Sequence, residues 1–169
     1  MLDPHGTPAS GYDAFIAAPM SGLPGKGYAA GRESVLGVVK QLAVVYGMDQ
    51  VYFAGTDITQ PGGFTGEEKA LRQDLEALRA ARLFVLIYPD KIVTSALVET
   101  GYALALGLPC LLLARDAADL PYLLRQAVDV RARDLLPPLR IRRLEDTAGA
   151  AAQIAAFRDA MRGDEARHA

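Results

Sequence analysis

The run "RLFVLIY" at residues 82–88 is short, continuous and apolar, the pattern of a strand covered on both faces rather than wetted on one. A strand of that kind needs helices above and below its sheet. The rest of the chain supplies them in alternation. "DAFIAA" at 13–18, ended by Pro19, reads as a first strand, "QVYFAG" as a second and "PCLLLA" as a fourth. From Tyr28 to Tyr46 the residues Val35, Val38, Val39, Leu42 and Val45 recur at helical spacing, and Gly47 is placed to end that helix. Leu71, Leu75 and Leu78 mark a second helix, which Thr65 and Glu68 would open as a capping box. A third helix is expected over 95–106, closed by Gly107, and a short one near "DLPYLLRQA". A fifth strand falls at 128–130 or at 139–143, and a last helix carries Ile154, Phe157 and Met161 on one face.

Strands that alternate with helices throughout predict an α/β chain: a flavodoxin-like or Rossmann-like three-layer sandwich around a parallel sheet of about five strands, with right-handed crossovers. The expected organisation is a flexible N-terminus over 1–12, a single α/β domain over 13–162 and a frayed tail over 163–169. With 169 residues, 51% of them hydrophobic, the chain can bury one good core.

Charge narrows the partners. Eighteen Lys and Arg against twenty Asp and Glu leave a net charge of −2, which gives no general attraction to a polynucleotide or an anionic membrane, and neither is expected as a partner. Arg131, Arg133, Arg140, Arg142 and Arg143 gather in "RARDLLPPLRIRR" and read as a solvated surface, with an anion or partner site as the alternative. The single cysteine, Cys110, stands inside an apolar strand, where it behaves as a small hydrophobe and not as a nucleophile. "MLDPHGTPASG" has no basic segment leading into an apolar one, so a cytoplasmic location is expected. His5 and His168 lack ligand partners at useful spacing, so no metal site is expected.

In an open parallel sheet, ligands collect outside the carboxyl ends of the strands, where loops and helix N-termini converge. The loops assigned there are "PMSGLPGKG", "GTDITQPGGFTGEE" and "PDKIVTS". The first brings Ser21, Gly22, Gly25, Lys26 and Gly27, that is amides, a hydroxyl and a cation near a helix start, a setting suited to phosphate. It is not a Walker sequence, because no Gly-Lys-Ser/Thr ends it.

Two acids are singled out as catalytic candidates. Glu99 is the lone acid of "TSALVETGYALALGLPCLLLAR"; with Ser95 as cap it lies about one turn into its helix, beside a stripe of Val98, Tyr102 and Ala105 expected to face inward. Asp74 shares a helix face with Leu71 and Leu78 rather than with the solvated residues. Two carboxylates reaching one pocket suit glycosidic chemistry, in which one attacks the anomeric carbon while the other positions the substrate or assists proton transfer.

"ALRQDLEALRAARLFVLIY" followed by "ALVETGYALALGLPCLLLARD" resembles the nucleoside 2-deoxyribosyltransferase family and its relatives, the deoxynucleoside 5′-monophosphate N-glycosidases. The matching residues are Asp74-Leu75 and the motif Glu99-Thr100-Gly101-Tyr102-Ala103, and "FIAAPMSG" resembles the family's first strand and nucleotide-facing loop. The resemblance implies an N-glycosidase in which Glu99 is the nucleophile and Asp74 orients it. Ser21 and Gly22 would line the sugar or phosphate side and Tyr102 would pack beneath; Lys26 from the loop and Ser95 from the helix start, read from the residues themselves, complete the substrate-binding candidates. It further implies a nucleoside or nucleotide as the small-molecule partner and a homodimer or higher homo-oligomer, and chemistry of this kind requires no cofactor. The family's acid before the third strand is Arg82 here, and the acid-amide pair that its transferases lend to a neighbouring subunit is not evident, which favours hydrolysis or binding over base exchange. The same glutamate helix also resembles that of bacterial TIR-like domains, a likeness that implies cleavage of NAD instead. A non-catalytic nucleotide sensor using the same pocket is the alternative from outside enzymology.

Overall fold

A computed structural model describes residues 11–20, 23, 25–58, 67–129 and 137–168. The elements follow one another as β1 (Ala14–Ala17), α1 (Gly25–Tyr46), β2 (Val51–Tyr52), α2 (Glu67–Ala80), β3 (Phe84–Tyr88), α3 (Ala96–Ala105), β4 (Cys110–Ala114), α4 (Tyr122–Asp129), β5 (Leu139–Arg143) and α5 (Ala150–His168). All five strands are parallel and lie in the order β2-β1-β3-β4-β5. This is the expected three-layer α/β sandwich in its flavodoxin-like order, and it places a topological switch point between β1 and β3, where successive connections leave in opposite directions.

Side chains alternate through the sheet into two cores. Ala14, Ile16, Val85, Ile87, Leu111 and Leu113 pack with Val35, Val38 and Leu42 of α1 and Ile154 of α5. Phe15, Ala17, Phe84, Leu86, Cys110 and Leu112 pack on the other face with Ala77 and Leu78 of α2, Ala96 and Ala103 of α3 and Leu124 of α4. Every residue of β3 and β4 is buried, as a strand roofed on both sides requires.

The helix ends show why the chain stops where it does. Gly47 and Gly107 adopt positive φ, 63° and 78°, a conformation that costs glycine nothing. After α1 the Met48 amide reaches back to the Leu42 carbonyl at 3.0 Å, and after α3 the Leu108 amide reaches Ala103 at 3.1 Å.

Several boundaries differ from the sequence reading. α1 begins at Gly25, so Gly25, Lys26 and Gly27 form its first turn rather than a loop. Glycine is a poor helix former, which is why periodicity starts the helix later. Val45 is 65% exposed, because α1 has turned that side away from the sheet by its last turn. The strand at 139–143 is the fifth, while residues 128 and 129 end α4. Thr65 and its capping box, Arg131 and Arg133 lie outside the described residues, as does the N-terminus up to residue 10. Tyr12, at the edge of that segment, is fastened by a parallel bridge to Ala81. Arg140, Arg142 and Arg143 are exposed on β5, an edge strand, where charge discourages pairing with other chains. Among the described residues no helix is long and apolar enough to cross a membrane.

Candidate active site

α2 and α3 lie side by side on the same core, and the seam between them holds the two acids. α3 meets the sheet through its smallest residues. Ala96, Thr100 and Ala103 are its buried face, and the Thr100 hydroxyl is satisfied by the Ala96 carbonyl at 2.7 Å. The expected inward stripe of Val98, Tyr102 and Ala105 is corrected in part: Tyr102 packs partly buried against the core, whereas Val98 is 74% exposed and Ala105 is exposed, because the helix is turned to set Ala96, Thr100 and Ala103 against the sheet. With the small residues inward, Ser95, Glu99 and Tyr102 fall on one flank of the helix at successive turns. That flank faces α2, as the contact between Tyr102 and Arg79 shows.

Asp74 comes from the middle of α2. Its own helix buries Ala77 and Leu78, but Leu71, expected on the same face, is 60% exposed, since α2 begins beyond the edge of the core. Asp74 itself is half-buried and accepts a hydrogen bond from the Tyr52 hydroxyl, 2.7 Å from Oδ1. Tyr52 ends β2 and is held on both sides of its ring. Phe15 of β1 stacks on it at 5.0 Å, and Tyr12 meets it edge-on at 5.4 Å.

The electrostatics follow from burial. Glu99 is half-buried, and loss of water around it, together with the nearby negative charge of Asp74, pushes its carboxyl up to about 7, against a smaller opposing effect from a hydrogen bond to Ser95. Asp74 is raised by burial too, and the Tyr52 hydroxyl partly offsets this by stabilising its ionised form. Burial and the neighbouring Asp74 charge raise Tyr52 as well, so its phenol keeps its proton and can only act as donor to that carboxylate. A carboxyl poised near neutrality beside a second carboxyl is the arrangement that acid, base or nucleophilic chemistry needs.

The Ser95 side chain does not cap the backbone of α3, and the Thr94 hydroxyl lies 3.4 Å from the Ala96 amide. The loop that delivers these residues is fixed by Tyr88, whose hydroxyl donates to the Ile92 carbonyl at 2.6 Å and accepts from the Ile92 amide at 2.9 Å. Tyr102 stands one turn beyond Glu99, and its hydroxyl accepts from Arg79 Nη2 at 2.6 Å while the guanidinium lies 5.7 Å from its ring. Ser21 and Gly22, and the side chain of Lys26, lie outside what the structure describes. Periodicity did not single out Tyr52, Tyr12 or Arg79. The one available signal was the hydroxyl of Tyr52, a polar tip in a strand flanked by others, which calls for a partner.

A second set of contacts shapes the loop after β2. Arg32 of α1 donates from Nε to the Gly55 carbonyl and from Nη2 to the Thr56 carbonyl, each at 2.7 Å, and the Tyr28 hydroxyl donates to the Ile58 carbonyl at 2.9 Å. In chain order this loop follows β2 and precedes α2, the helix that carries Asp74.

No family model matches the chain, and no curated protein matches it in sequence. Among solved structures its fold is similar to that of the CMP N-glycosidase BcmB of Clostridium botulinum, with a TM-score of 0.54 and 16% identity over 85% of this chain and 98% of that one. At that identity the likeness is one of fold.

Proposed function

We propose that the protein is an N-glycosidase that hydrolyses a nucleoside 5′-monophosphate or nucleoside, with Glu99 as nucleophile and Asp74 as its partner. The observation that carries this reading is the seam between α2 and α3, where a half-buried Glu99 near neutrality stands beside Asp74 at the β1/β3 switch point. The fold neighbour, an enzyme that acts on CMP, supports a pyrimidine nucleotide as the first substrate to try.

In the proposed reaction a Glu99 oxygen attacks C1′ as the C1′–N bond breaks, and the bonding pair leaves with the base, which takes up a proton. Water then attacks C1′ of the glycosyl-enzyme, releasing Glu99 and giving its proton to the site. The net change is one water consumed, one free base and one sugar or sugar phosphate formed. Asp74 orients the nucleophile and assists proton transfer in the second step. The N-terminus of α1, with Gly25, Lys26 and Gly27 in its first turn, is suited to the 5′-phosphate by its amides, and Ser21 and Gly22 precede it in the chain. Ser95 and Tyr102, one turn before and one turn after Glu99, are assigned to the substrate side of the same flank. No cofactor enters these steps. A homodimer or larger assembly is part of the proposal, and the exposed Leu71 and Val98, close to the two acids along their helices, offer apolar surface to a second copy.

The test is chromatography of the protein with CMP, other ribo- and deoxyribonucleoside monophosphates, nucleosides and NAD, alongside Glu99→Gln. Free base from a monophosphate or nucleoside, lost in the variant, is the expected result. Nicotinamide from NAD would transfer the protein to the TIR-like reading, and tight nucleotide binding without any base release would make it a sensor.

A further inference from the structure

The reading above assigns no part to Tyr52, yet its contacts are the most constrained around the acids. Its ring is fixed by Phe15 on one face and Tyr12 at the edge, so the hydroxyl has one direction, toward Asp74 Oδ1 at 2.7 Å. The phenol brings a proton to that bond, and a carboxylate that accepts is stabilised in its charged form.

We propose that Tyr52 is a positioning residue that sets how protons divide between Asp74 and Glu99 in the free protein, holding Asp74 as the ionised acceptor so that Glu99 is the carboxyl protonated first. The proposal rests on the N-glycosidase reading for its catalytic meaning, but not for its test. The groups that bear on the pair are Tyr12 ahead of β1, Tyr52 on β2, Asp74 on α2, Ser95 just ahead of α3 and Glu99 on α3; the charge acting on Glu99 is that of Asp74. Arg79 lies a turn further down α2 with its guanidinium on Tyr102.

Two neighbouring carboxyls whose charges act on each other titrate as one coupled unit, so stabilising the anion of one raises the other. Without the Tyr52 donor, Asp74 becomes the more basic site and the proton moves to it. Glu99 then loses the neighbouring negative charge and ionises at lower pH. For a glutamate nucleophile this makes Tyr52 a gate: Glu99 is silent while protonated and competent once ionised, with the crossover near neutrality.

The experiment follows the side-chain carboxyl carbons of Glu99 and Asp74 by 13C NMR from pH 4 to 9 in wild type and Tyr52→Phe, which keeps the ring and its stack. The expected result is opposite movement, the Glu99 midpoint falling by on the order of 1 unit and the Asp74 midpoint rising. In an active enzyme the acid limb of kcat/KM should move down with Glu99. Midpoints that stay put, or that fall or rise together, overturn the proposal. Should Tyr52→Phe fail to fold, the Tyr52 Cζ resonance of the wild type serves instead: it should shift with the Asp74 titration, and a flat resonance overturns the proposal. These readouts need no turnover. Absence of base release therefore sinks the glycosidase reading alone, whereas activity with unmoved midpoints sinks the role of Tyr52 alone.

Discussion

The carboxylate of Asp74, carried on α2, bears on Glu99, carried on α3, and with burial it holds the glutamate's carboxyl up to about 7. A carboxyl raised by folding favours the protonated form, so it costs stability as pH climbs from the unfolded value of 4.5 through the folded one. The cost is absent below pH 4.5 and complete above about 7, where it amounts to about 3 kcal/mol at most, at roughly 1.4 kcal/mol per unit. Glu99→Gln removes it. The variant should therefore be more stable than wild type in urea at pH 8, with the difference closing by pH 5, while base release is lost. An unchanged or lower stability at pH 8 would show that Glu99 is not held in a site hostile to its charge.

Arg32 ties α1 to the loop after β2 through two carbonyls, those of Gly55 and Thr56. A lysine keeps the charge but ends in a single nitrogen and cannot span both acceptors in the planar geometry of a guanidinium. Arg32→Lys should lower stability by about 1–3 kcal/mol and speed hydrogen exchange in residues 54–58 more than in β3. Exchange that rises uniformly across the sheet would mean that the contact supports the fold as a whole rather than the loop.

The alternation of elements was legible because β3 and β4 are buried on both faces, and burial writes itself into a strand as an unbroken apolar run. Glu99 was legible for the converse reason, as the one acid in an apolar helix. The face that Glu99 occupies was not. Periodicity weights large residues, whereas α3 packs through Ala96, Thr100 and Ala103, so Val98 points to water where it was expected to point inward. Tyr52 stayed hidden for a different reason: its meaning lies in a hydrogen bond to a residue on another element, and spacing along the chain carries no trace of such a contact.

Cys110 is fully buried at the start of β4, with its Sγ 3.1 Å from the Leu108 carbonyl, and burial pushes the thiol up to about 12. At pH 8 almost none of it is thiolate, the reactive form. The folded protein should resist iodoacetamide at pH 8, and mass spectrometry should find one alkylated site only in denaturant. Rapid labelling of the native state would place the thiol on an accessible path and would reopen its chemistry.

Gly55 marks the tightest place in the loop that Arg32 holds. The backbone there does not require glycine, since its φ is not positive, yet a Cβ would come within 2.4 Å of Phe53 Cζ and 2.6 Å of Cε1. Phe53 is 4% exposed and packs into the core with Met48 and Leu83, so its ring cannot swing aside without opening a void elsewhere. Gly55→Ala should therefore act by overpacking and cost about 1–3 kcal/mol, a fall in Tm of roughly 2–4 °C per kcal/mol for a chain of this size. Because the Gly55 carbonyl accepts from Arg32, the displaced loop should also show faster exchange at 54–58. Combining Gly55→Ala with Phe53→Leu separates steric from backbone causes: the smaller side chain makes room for the methyl, so the pair should lose less stability than the two single changes added together. Strict additivity would mean that the Phe53 ring is not what the methyl meets.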